Sequence, residues 1–187
     1  MYRKTNETEI EIKKGTKTAG EEVETGIGFF DHMLQLLLFR AGLKISIKAK
    51  GDLHVDGHHT VEDVGILLGK YLDEMLGDKS GIMRYGSARV PMDESLSEVT
   101  VDLDVSGRAF IVFNAEFNTE KCGDFEVELA EEFFRALAMN AKITIHINLL
   151  YGKNTHHEME AIFKGFGLAL KQAITPSEGI TSTKGLI

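Results

Sequence analysis

The chain repeats itself, and this constrains its fold more than any other feature. Laying Leu43-Lys44-Ile45-Ser46-Ile47 over Ala141-Lys142-Ile143-Thr144-Ile145 sets an offset of 98 residues that continues without a gap. His58 then falls on His156, His59 on His157, Glu62 on Glu160, Gly69 on Gly167 and Leu72 on Leu170. A His-His pair, a Glu and the flanking strand do not recur in register by accident. The pattern predicts an internal duplication with halves 1–85 and 86–187.

Each half shows the same succession of periodicities. Residues 7–14 alternate polar and apolar, as does a strand with one wet face, and residues 17–25 are expected to be its partner. A helix is expected over 29–40, stopped by Ala41-Gly42, then a strand over 43–50 and a helix over 58–76, ended by Gly77. In the second half the expected strands are 84–92, 97–105 and 109–117. A helix at 125–140, a strand at 142–150 and a helix at 156–173 follow. Both halves read as strands, helix, strand, helix. The predicted fold class is α+β: two duplicated half-domains, each a mixed β-sheet with two helices packed on one face. The tail from Thr175 to Ile187 reads as a loop.

Four of the seven histidines form the two pairs, and each pair opens a helix. Adjacent helical residues point about 100° apart, so His58 and His59 face two different ions rather than one. Glu62 is four residues from His58 and three from His59 and can join either; Glu160 stands likewise to His156 and His157. Imidazole with carboxylate suits Mn, Fe or Zn rather than Ca or Mg. The spacing is not that of an H-E-x-x-H protease. One such helix start reads as a surface feature; two at one offset read as a site. His32, on an apolar helix, alone reads as a satisfied core residue. A short gap superposes it on Glu132, which also opens a helix beside Phe133-Phe134. His146, mid-strand, reads as a core or supporting group, and His54 as surface.

Composition excludes some classes. The net charge is −8 with no basic run, which argues against a nucleic-acid partner. No apolar run approaches the ~20 residues of a membrane span. The start, Met1-Tyr2-Arg3-Lys4-Thr5, lacks the apolar core of a secretory signal. The single cysteine, Cys122, permits no intrachain disulfide and fits a reducing, cytoplasmic setting; its Lys-Cys-Gly-Asp surroundings read as a loop rather than a catalytic centre.

Seven segments in order, R-x-T-x-E-T (3–8), G-x-G-F-F-D-H-M (26–33), D-G-H-H-T-x-E-D (56–63), P-M-D-E-S-L (91–96), S-G-R (106–108), H-H-E-x-E-A-x-F-K-G-F (156–166) and S-T-K-G (182–185), resemble the imidazoleglycerol-phosphate dehydratase family. The resemblance covers nearly the whole chain and implies a fold like domain 2 of ribosomal protein S5. It implies a hydro-lyase of L-histidine biosynthesis that removes water from imidazole-glycerol phosphate to give imidazole-acetol phosphate, with two Mn²⁺ per active site. By motif, one ion takes His32, His59, Glu62 and His157. The other takes His58, His156 and Glu160, with Glu132 as fourth ligand where many members have His, and His146 ranked behind it. Glu7 is the implied acid–base group. Arg84, Arg108, Lys164, Ser182, Thr183 and Lys184 match the substrate-binding positions, with Gln35 and Arg40 as weaker candidates. The Ser182–Lys184 tail is expected to close over the phosphate and to be mobile without ligand. The resemblance further implies a homo-oligomeric shell of about 24 copies with active sites between subunits.

Two other readings stand beside this one. A dinuclear phosphatase would use the same ligands to hydrolyse simple esters. A non-catalytic metal store would need the ligands but not Arg84, Arg108, Lys184 and Glu7 together, and their co-occurrence favours an enzyme.

Overall fold

Alternation of apolar and polar residues builds two sheets, each with one dry face. A computed structural model describes residues 1–15, 18–20 and 22–178. In the first sheet β1 (Tyr2–Lys4), β2 (Thr8–Lys14), β3 (Val23–Glu24) and β4 (Ile45–Gly51) lie in the order β1-β2-β4-β3. β2 is antiparallel to both β1 and β4, with Ile12 opposite Ile47, and β3 runs parallel to β4. In the second, β5 (Tyr85–Met92), β6 (Ser95–Asp102), β7 (Phe110–Asn114) and β10 (Thr144–Tyr151) take the order β5-β6-β10-β7. Here β10 is antiparallel to β6 and parallel to β7. The two sheets share one topology, as a duplication requires. Ile10, Ile12, Ile45 and Ile47 face the core from one sheet, Val99, Val101, Ile145 and Ile147 from the other.

Four described helices cover these faces: α1 (Gly28–Ala41), α2 (His58–Leu76), α3 (Leu129–Ala141) and α4 (Thr155–Ala173). The helix layer is interleaved, because α2 packs on α3 and α4 packs on α1. Glycines permit the close approach. A Cβ on Gly69 would lie 2.6 Å from the Leu137 carbonyl oxygen, and one on Gly167 would lie 2.5 Å from that of Leu37. These two glycines are the pair related by the 98-residue offset. Between the halves lies an aromatic core of Phe30, Phe125, Phe133, Phe134, Phe163 and Phe166, all fully buried. The Phe134 and Phe163 ring centroids are 4.9 Å apart. Each such side chain contributes about 1.5–3 kcal/mol by leaving water.

Two expectations from the sequence change. Among the described residues of 17–25, none pairs with β2. Only Val23–Glu24 is a strand, and it joins β4. The Thr5 N–H bonds the Thr8 carbonyl at 2.9 Å, closing a turn that brings β1 onto the free edge of β2. The helix expected from residue 125 begins at Leu129. A small hairpin, β8 (Lys121–Cys122) with β9 (Phe125–Glu126), precedes it, turning at Gly123 with φ +62°. Among the described residues no helix is long and apolar enough to cross a membrane.

Candidate metal centre

The helices that carry the histidine pairs begin where the sequence supplies an acceptor. Asp56 accepts the His58 N–H at 2.8 Å, and Asn154, its counterpart at the 98-residue offset, accepts the His156 N–H at 3.0 Å. The cap of α1 comes from far away: the Asp124 carboxylate, in the β8–β9 turn, accepts the N–H groups of Gly28 at 2.7 Å and Phe29 at 3.1 Å. A residue of the second half thereby positions the helix that bears His32. Sequence reading missed Asp124, whose partner lies 96 positions away.

All four helix N-termini gather at one end of the molecule. α1 runs parallel to α4, with His32 beside Glu160 and Leu37 beside Gly167. α2 runs parallel to α3, with Gly57 against Leu129 and Gly69 against Leu137, and Gly57 also abuts Ile27 at the start of α1. The eight expected ligands, His32, His58, His59, Glu62, Glu132, His156, His157 and Glu160, therefore all lie in the first two turns of their helices.

Within the chain three of them converge. His32 Nε2 and His156 Nε2 approach the same Glu160 oxygen at 3.2 and 3.1 Å. The donor atoms of this trio lie within 4.8 Å of one another, a cluster that can hold a metal ion. Burial pushes the Glu160 carboxyl up. Hydrogen bonds from Lys164, His32 and His156 more than offset this and hold it at about 2. The Phe29 ring stands edge-on to the His156 ring, 5.1 Å between centroids. The resemblance sets His32 with His59, Glu62 and His157; within one chain, parallel packing of α1 on α4 brings it beside Glu160 and His156.

The second histidine of each pair faces carboxylates of its own half. His59 Nδ1 is 3.1 Å from Asp52 Oδ2, and its Nε2 is 3.9 Å from Glu7. His157 Nδ1 is 2.8 Å from Glu94 Oε2, and its Nε2 is 3.9 Å from Asp93. Anchoring Nδ1 orients the ring and turns Nε2 outward, the arrangement of a histidine that could take a metal. The hydrogen bonds that the rings donate to Asp52 and to Glu94 favour the protonated imidazoles and raise both histidines. Glu94 also accepts the N–H groups of Lys153 and Asn154, so it pins the β5–β6 turn to the start of α4. Asp52, Asp93 and Glu94 were not singled out in the sequence; only their nearness to the histidines reveals them. The rings of each pair diverge as helical geometry requires, at 87° for His58 and His59 and 77° for His156 and His157.

The remaining candidates stand outside this trio. Glu62 is half-buried and enters no three-ligand cluster among the described residues. Glu132 sits 4.0 Å from Arg135 and lines a cavity of about 770 Å³ with Phe113, Phe117 and Glu131. His146 is exposed in β10, opposite Thr100 and Val112, on the sheet face away from the helices. Among the described residues it belongs to no three-ligand cluster. Lys164 is committed to Glu160.

The guanidinium candidates occupy the far end of the chain. Arg84 donates its backbone N–H to the Ala173 carbonyl at 3.0 Å, at the C-terminus of α4. That is roughly 25 Å along the helix from His156. Its guanidinium pairs with Asp102 at 2.7 Å and Asp104 at 3.1 Å. Arg108 is exposed, and its carbonyl accepts from Thr144 at the opening of β10, the same far end. Gln35 is half-buried, and exposed Arg40 lies over the Phe39 ring. Ser182, Thr183 and Lys184, with the expected mobility of their tail, lie outside the described residues.

The imidazoleglycerol-phosphate dehydratase family model matches residues 25–170. A protein of that name from Clostridium acetobutylicum is 52% identical over 191 residues, covering 100% of this chain and 96% of that protein. One from Acetivibrio thermocellus is 53% identical over 191 residues, with coverages of 100% and 97%. The crystal structure of the enzyme from Staphylococcus aureus superposes with a TM-score of 0.81 at 44% identity, covering 95% of this chain and 98% of that one. The Pyrococcus furiosus structure, solved as a complex, gives 0.85 at 39% identity with full coverage of both chains. The site's chemistry and these likenesses agree: the chain belongs to the imidazoleglycerol-phosphate dehydratase family, a family of hydro-lyases.

Proposed function

We propose that the chain is a manganese-dependent hydro-lyase of L-histidine biosynthesis that converts imidazole-glycerol phosphate to imidazole-acetol phosphate in the cytoplasm. The observation that carries this reading is the His32–His156–Glu160 cluster, two imidazoles and an ionised carboxylate at the junction of the two halves. That donor set fits Mn²⁺. His59 and His157, each with Nδ1 anchored and Nε2 directed outward, are the natural complement, with His58, Glu62 and Glu132 in the same layer of helix starts. Two bound ions would supply Lewis acidity to the substrate's imidazole ring.

The protein's own groups do the rest. Glu7 is half-exposed on the β1–β2 turn, 3.9 Å from His59 Nε2, where a carboxylate can move the proton of the substrate's carbon chain. Lys164 keeps Glu160 ionised and aimed. Arg84, Arg108, Ser182, Thr183 and Lys184 are assigned to the phosphate, Arg for its forked contact and Lys as a point charge. Because Arg84 and Arg108 stand at the end opposite the histidines, a complete site takes its cations from another copy. The reading therefore includes a homo-oligomer, a shell of about 24 copies with sites between subunits.

Incubation with Mn²⁺ and imidazole-glycerol phosphate, followed by absorbance of the enol–ketone product in alkali, tests the proposal. Ketone is expected. Free phosphate without ketone would point to a hydrolase, and neither product to a metal store; either outcome overturns it. Glu7→Gln is expected to lower turnover by about 10²–10⁴-fold while retaining metal. Loss of metal from that variant contradicts the role given to Glu7.

A further inference from the structure

Asp63 follows His59 by one helical turn, so both side chains leave α2 on one face. Its carboxylate is 6% exposed, and its partners come from the N-terminal hairpin. Arg3 donates to Oδ1 from both Nε and Nη2 at 2.8 Å. The Thr8 hydroxyl donates to Oδ2 in a short contact. That hydroxyl is 3.2 Å from the hydroxyl of Thr5. Thr5 Oγ1 in turn accepts the backbone N–H of Glu7 at 3.2 Å and of Thr8 at 2.9 Å. An unbroken path of polar contacts thus runs from Asp63 to the backbone of the residue whose carboxylate faces His59.

The second half shows what packing alone requires. Ser97 stands opposite Leu149 in β10 as Thr8 stands opposite Gly51 in β4. The Ser97 hydroxyl donates to the backbone carbonyl of Ala161 at 2.7 Å, and Ala161 holds the place of Asp63 at the 98-residue offset. The same strand meets the same helix there without a charge. Burying an ion pair costs several kcal/mol in desolvation unless the geometry repays it. The Arg3–Asp63 pair occurs in the half that carries Glu7, where an exposed turn must be held in one place.

We propose that Asp63 is a positioning residue: with Arg3 and Thr8 it locks the Thr5–Thr8 turn onto α2 and so holds the Glu7 carboxylate beside His59. The inference rests on the acid–base role given to Glu7 above, and the test separates the two. Asp63→Asn, Thr8→Val and Thr5→Val are made alone and combined with Glu7→Gln, and assayed as metal-loaded enzyme on imidazole-glycerol phosphate. Misplacing a catalytic group by an ångström costs about a hundredfold, so kcat should fall by about that factor in Asp63→Asn and by about tenfold in each threonine variant. KM and bound metal per subunit stay within about twofold, and Thr8→Ser restores kcat. In the Glu7→Gln background the same substitutions should lower residual turnover no further, whereas lost packing would add its own penalty. Wild-type kcat in Asp63→Asn, or additive losses in the double variants, overturns the positioning role while Glu7 stands. Full turnover by Glu7→Gln overturns both. Should Asp63→Asn fail to fold, Thr5→Val leaves the Arg3–Asp63 ion pair intact and carries the same comparison.

Discussion

Glu94 joins four groups through one carboxylate: Ser95 and the N–H groups of Lys153 and Asn154 on Oε1, His157 on Oε2. The hydrogen bond to His157 and that to the Asn154 backbone favour the ionised form and lower its pKa from 4.5 to about 2. A carboxyl depressed in the folded state contributes stability that is present above its ordinary value and is lost as pH falls through the folded one. Glu94→Gln should therefore melt below the wild type at pH 6, and the gap should narrow between pH 4.5 and 2. Thermal melts followed by circular dichroism at each pH check this, and a gap constant with pH would contradict it. The two His-His-Glu helix starts at 58–62 and 156–160 were legible from residue type and offset. The carboxylates beside the rings were not: Asp52 lies in no motif, the P-M-D-E-S-L segment does not say what Asp93 and Glu94 touch, and each becomes meaningful only once a fold brings it to a ring nitrogen.

At the scale of elements, the crossed packing of α2 on α3 and α4 on α1 turns on two glycines. Ala in place of Gly inside an exposed helix ordinarily stabilises it by up to about 1 kcal/mol. At Gly69 and Gly167 the added carbon would press on the Leu137 and Leu37 carbonyls, and overpacking of this kind costs about 1–3 kcal/mol. Gly69→Ala and Gly167→Ala should each be destabilising by about that amount, and denaturant melts of the two would show whether the duplicated interfaces are equivalent. Element positions were largely readable, and the helix expected over 58–76 spans those residues. Pairing was less so. Alternation reports a strand but not its neighbour, and the short turn at Thr5–Thr8 decided that β1, rather than residues 17–25, completes the sheet edge.

On the scale of the whole molecule, the ligands and the guanidinium candidates lie at opposite ends of one chain. A working site between copies predicts that two inactive variants can rescue each other. On the proposed assignment Glu160→Gln lacks a ligand and Arg108→Ala a phosphate cation; dissociated and reassembled together, they should recover a fraction of wild-type turnover through sites that take one sound end from each. Absence of recovery in verified mixed assemblies would place both groups in a single subunit's site. If metal bridges copies as proposed, it stabilises association by linkage; chelation should then shift the assembly to smaller units, measured by light scattering and reversed by Mn²⁺.

The sequence by itself determined the duplication, the helix starts at the two histidine pairs and the family resemblance. All of these are written in short-range pattern: caps one or two residues away, apolar periods of two or 3.6, and a fixed offset. Tertiary structure alone decided that Glu160 is shared by His32 and His156, that Asp124 caps α1, that Asp63 grips the turn bearing Glu7, and that Arg84 and Arg108 point away from the helix starts. Each of these joins residues tens of positions apart or more. Such pairings follow from how layers stack and which helices lie parallel, a property of the packed core that local pattern does not encode.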